Sequence, residues 1–251
     1  MDTQKLIDAA CETISSHGWL YYFDPATTAR GERLGLDTFQ FYFLGRGGVL
    51  GDVEAPVVSS ALGYFNPAVV EMMWAAGREK IDPRRAGREY FEAAHEFGRE
   101  RLDGVEELDG FVAAATKVVD AAREQVAGLS LFAGAAAEPV PDDAPAAAMH
   151  QLAVLRELRG SAHLVAIVAE GLDAKTAHFI RRPEMYTTFG WSDPVPVVTD
   201  AHTAALKAAD ARTDRLVAPA YSVLDDDDAA ALLAGLAVIA PRLVGNEIPA
   251  V

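Results

Sequence analysis

Apolar residues along this chain recur mostly at intervals of three and four, the spacing that lines one face of an α-helix. Leu6, Ile7, Ala10, Cys11 and Ile14 form the first such stripe, which Thr3 opens as a cap and which ends near His17-Gly18. Trp19 to Phe23 is an aromatic run without that period. With no partner strand in view it reads as an extended link, stopped by Asp24-Pro25. Asp37 starts a short aromatic helix over 38–44, Gly45 to Gly51 is a loop, and Glu54 to Leu62 is helical again. Asn66-Pro67 and Asp82-Pro83 each place a capping side chain before a proline, the usual opening of a helix. They predict helices to Ala76 and to about Leu102, followed by a long amphipathic helix over 105–127.

Beyond residue 145 the pattern predicts helices over 146–159, 161–170 and 173–182. Pro194 and Pro196 interrupt the chain, Thr199/Asp200 cap a helix to Val217, and Asp225 to Asp228 open an apolar helix to Ile239. The fold class is therefore all-α, with a multi-helix N-terminal half and a helical C-terminal half. The stretch from Ala135 to Pro145, rich in proline and acid, is the natural boundary. It divides the chain into an N-terminal helical domain, 1–137, and a C-terminal helical domain, 146–251.

Composition narrows the function. With 51% apolar residues among 251, the chain can bury a sizeable core. Its net charge of −15 argues against nonspecific nucleic-acid binding, which needs a basic face. The lone Cys11 has no intramolecular disulfide partner and reads as a buried small hydrophobe. The first residues show no basic segment followed by an apolar one, and no apolar run is long enough to span a bilayer. A cytoplasmic location is the expectation. The apolar last helix is compatible with a homodimer.

The densest chemistry lies in Leu155-Arg156-Glu157-Leu158-Arg159-Gly160-Ser161-Ala162-His163. On a helix Arg156, Arg159 and His163 share a face, where guanidinium forks and an imidazole suit a carboxylate or phosphate. The structural alternative is that the arginines pair with acids such as Glu157 or Glu170 and that His163 is merely satisfied. Glu92 and His95 have the Glu-x-x-His spacing of di-iron bundles, but no second copy exists, so they read as a solvated face. The glycines of 45–51 lack the Lys-Ser/Thr ending of a phosphate loop. No metal site and no cofactor are indicated, and no catalytic residue is assigned. Aromatic residues crowd positions 19–74, as core or as the wall of an apolar pocket, and tyrosine hydroxyls beside Arg46 suit a polar head group.

The segment from Leu155 to His163 resembles an actinobacterial family of helix-rich proteins classed as helix-turn-helix proteins. The likeness extends to Tyr22-Phe23-x-Pro25, Phe43-x-Gly45-Arg46, Phe65-x-Pro67, Gly190-Trp191 and Thr213-Asp214-Arg215-Leu216. Leu158 and Ser161 stand where that family carries histidine and aspartate. After Gly190-Trp191 the chain runs through Pro194-Val195-Pro196 almost directly into Thr199, so the resemblance implies only a reduced winged-helix-like remnant. On that ground and on charge, DNA is an unsuitable partner. The leading expectation is a small-molecule binder with Arg156, Glu157, Arg159 and His163 around a polar group, and Tyr22, Phe43, Arg46 and Phe65 lining the pocket. A regulator or protein-interaction module of helix-turn-helix descent is the first alternative, and an enzyme using His163 as acid or base is the second.

Overall fold

Asp2, not Thr3, starts the first helix: its carboxylate accepts from the Gln4 and Lys5 amides and caps α1 (Thr3–His17). The structure, a computed structural model, describes residues 1–243. Every regular element among them is helical, as the periodicity predicts. α2 (Pro25–Arg33), α5 (Pro67–Arg78) and α6 (Pro83–Arg101) each open with Asp or Asn as cap and proline in the first turn. α3 (Thr38–Gly47) closes a full capping box between Asp37 and Gln40. α4 (Ala55–Leu62), α7 (Leu108–Arg123) and α8 (Ser130–Ala136) complete the first half.

Three local readings change. Trp19 to Phe23 is not extended; its amides bond back to carbonyls three residues earlier, so the run is a string of tight turns. α2 and α8 are helices that the apolar period alone does not reveal. The glycines of 45–48 carry α3 onward into a 3-10 turn instead of a loop, because small residues let α3 and α6 touch. At Gly45 any side chain would run into the Tyr90 ring.

The organising element is α9 (Ala144–Ala169), whose 26 residues span about 39 Å. It continues through Gly160, where the sequence suggests a break. From Ala146 to Leu155 every side chain is buried, so this half shows no amphipathic stripe. α1, α6, α7, α8 and α11 (Asp200–Tyr221) pack around it. α12 (Asp226–Ile239) spends its apolar face on α7 and α1 of the same chain. A smaller apolar cluster, including Ile167, Ala177, Leu206 and Ala209, joins the end of α9 to α10 (Ala174–Arg181) and α11.

Between α10 and α11 the chain returns to the N-terminal half. Asn66 donates its amide to the Phe189 carbonyl and its side chain to the Gly190 carbonyl, each at 2.9 Å. Trp191 donates its indole N–H to the Tyr64 carbonyl at 2.8 Å. Gly190 has φ of +78°, a region that favours glycine, and its Cα faces Val69. The connection is thus pinned on the outer wall of the cavity described next. No helix of the described residues is long and apolar enough to cross a membrane.

Candidate ligand cavity

A cavity of about 300 Å³ opens between the second half of α9, the aromatic turns before α2, α3, α4 and α10. Its wall holds a buried carboxylate, Glu157, which is 8% exposed. Arg46 of α3 donates both hydrogen bonds of one guanidinium nitrogen to this carboxylate, at 2.8 and 2.9 Å. Tyr22 donates its hydroxyl at 2.8 Å and Arg156 donates through Nη1 at 3.0 Å. The same Nη1 lies 3.0 Å from the Tyr22 oxygen. Arg46 also reaches the Tyr42 hydroxyl at 2.5 Å. Both guanidinium groups stand over the Tyr22 ring, at 5.1 and 5.2 Å from its centre, where the π face adds attraction.

Electrostatics explain why this arrangement holds. Burial pushes the Glu157 pKa up, but the charges of Arg46 and Arg156 and the hydrogen bonds from Tyr22 and Arg46 outweigh it, so the carboxyl lies below its usual range. Burial likewise works against the Arg46 charge, and Glu157 with the nearby tyrosine oxygens reverses that, raising its pKa well above the ordinary value. Two guanidinium groups thus face one carboxylate, and a positive charge remains in the buried cluster. Around the whole cavity Arg46, Arg156, Arg159, Arg181 and Arg182 are opposed by Glu157 and Asp210. A chain of net charge −15 has concentrated cations here.

Arg159 pairs with Asp214 of α11 at 2.8 Å, and Arg181 with Asp210 at 2.6 Å. Glu170, expected near the α9 arginines, is held by Arg212 instead. His163 shares its Nδ1 with the Thr213 hydroxyl at 2.9 Å. Burial, with Arg181 beside it, lowers the His163 pKa to about 4, so the ring is neutral at pH 7. It can accept a proton there but holds no extra one to donate.

His178 of α10 differs. Its ring lies 4.0 Å from that of Phe189 and 5.7 Å from that of Tyr64, centre to centre, and it is 7% exposed. Neither ring nitrogen has a hydrogen-bond partner. Burial and the nearby Arg182 hold its pKa at about 4. The Nε groups of Arg46 and Arg156 are buried without partners as well. Such unsatisfied groups are uncommon in folded proteins, and several sit around one cavity.

Of the residues singled out in the sequence, Tyr22, Arg46, Phe65, Arg156, Glu157, Arg159 and His163 line this cavity. Phe43 does not. It is fully buried behind the wall, with its ring edge-on to Phe65 at 4.8 Å. His178, Phe189, Arg181 and Asp210 were not anticipated, because they arrive through the packing of α10, α11 and the connection between them. Glu92 is exposed, as expected, but His95 is not: it is buried, with Nε2 3.1 Å from Nδ1 of His150 on α9. No cluster of three or more metal-ligating side chains occurs among the described residues.

Comparison with known proteins places the chain. Residues 7–249 match a protein family described as a helix-turn-helix family. The chain belongs to that family. No curated protein and no solved structure matches it. The family match overturns the expectation that DNA is an unsuitable partner. Net charge averages over the whole chain, whereas DNA contact is local. Residues 174–182 carry Lys175, Arg181 and Arg182 and no acid. The match also spans residues 190–200, the short connection that had argued against a recognition element.

Proposed function

We propose that this helix-turn-helix family member is an effector-responsive regulator, with the α9 cavity as the effector site. The observation that carries the reading is the charge of the cavity. A buried cluster with one uncompensated positive charge is costly unless an anion completes it. Family membership supports the DNA side of the reading. α10 supplies the connection between the two, since His178 faces the cavity while the Arg181-Arg182 end is exposed. Asp210 and Asp214 tie α11 to cavity arginines, so an anion competing for those arginines would shift α11 relative to α9.

Selection of a random pool of DNA duplexes on the full-length protein at low salt tests this reading. A defined sequence should be enriched, and its affinity should fall steeply with added salt. Addition of the anionic fraction of a small-molecule extract should change that affinity. Recovery of no preferred sequence at low salt would remove the regulator reading.

A further inference from the structure

The structure assigns the cavity a ligand class: a monoanionic aromatic acid. This rests on the effector-site reading and narrows it. Charge comes first. Arg46 and Arg156 face Glu157 alone in the buried cluster, so a single negative charge balances it. Of the other cavity arginines, Arg159 and Arg181 are already paired with Asp214 and Asp210 and Arg182 is exposed, so a dianion would overshoot that balance and lose more hydration on entry. Arg156 reaches Glu157 and Tyr22 through Nη1, and its Nη2 makes no hydrogen bond among the described residues, so the guanidinium retains donor capacity for a carboxylate.

The shape and lining of the walls come second. Trp19, Phe23, Tyr64, Phe65 and Phe189 surround the space, which favours a flat apolar body stacked against rings. Phe65 and Phe189 already stack face to face at 4.1 Å, and His178 continues that stack. A cavity of about 300 Å³ suits one or two fused rings.

The test uses 1-naphthoate, its neutral counterpart 1-naphthamide and inorganic phosphate, each titrated calorimetrically into the full-length protein. The acid should bind at least about tenfold more tightly than the amide, the scale of one charge-assisted hydrogen bond. Phosphate should neither bind nor compete. Arg156→Met keeps the Arg46–Glu157 pair neutral and folded, and it should abolish the preference for acid over amide. Equal binding of acid and amide, or displacement by phosphate, would overturn the ligand class while leaving an occupied cavity. Binding of none of the aromatic probes would overturn the effector site itself.

Discussion

Glu157→Gln should destabilise the protein more than any other single change in the cavity, by about 3–5 kcal/mol, the cost of leaving buried charge uncompensated. The reason is asymmetric. Glu157 is the only carboxylate bonded to Arg46 and Arg156 in this cluster, and glutamine leaves two half-buried guanidinium groups facing each other. Arg46→Met removes more atoms and the two-pronged pairing, yet leaves Arg156 and Glu157 as a neutral pair. It should therefore cost less than Glu157→Gln. Urea unfolding of both variants checks the order. Equal losses, or a larger loss for Arg46→Met, would mean that packing and not charge governs the cluster. Because a domain of this kind has only about 5–15 kcal/mol in total, Glu157→Gln should also lower the yield of folded protein.

The second large effect is acid lability above the range in which carboxylates titrate. Burial pushes His150 down to about 3, with His95 beside it contributing, while His163 and His178 fall to about 4. Each is neutral in the folded protein and takes up a proton in the unfolded chain below about pH 6.5. Stability is then fully present above pH 6.5 and falls as pH drops toward 4, by roughly 1.4 kcal/mol per pH unit for each histidine. Glu157 adds its own loss only at lower pH, since its pKa lies below the unfolded value. Urea midpoints measured from pH 7.5 to 4.5 should be level above 6.5 and then decline steeply. His178→Phe should make the decline shallower, because it removes one of the buried proton-binding groups. A level profile down to pH 4.5 would contradict the buried, neutral state of these rings.

Much of the fold was legible in the sequence, and the reasons are local. Asn66-Pro67 and Asp82-Pro83 fix their helix starts by chemistry that needs no partner. The turns at 19–23 and the run of α9 through Gly160 are settled by packing instead. A lone glycine costs a helix only about 1 kcal/mol, less than α9 gains by burying Leu158, Ala162, Ala166 and Ile167 around it. The cavity follows the same division. Arg156, Glu157 and His163 stand out as polar residues in an apolar helix, and Tyr22, Arg46 and Phe65 as a polar-aromatic set. All six line the one cavity. His178, Phe189 and Asp210 carry no local signal, since each matters only because α10, α11 and their connection fold back on α9. Net charge misled most: a total of −15 hides the arginines gathered around one cavity.

Native mass spectrometry of the protein taken from the cells that naturally make it tests most directly whether the cavity at Arg156 and Glu157 is a small-anion site. The expected spectrum shows the wild-type chain carrying a small acidic molecule, released on unfolding, and Arg156→Met from the same cells without it. A wild-type chain with no bound molecule, or a variant retaining the same molecule to the same extent, would contradict that assignment.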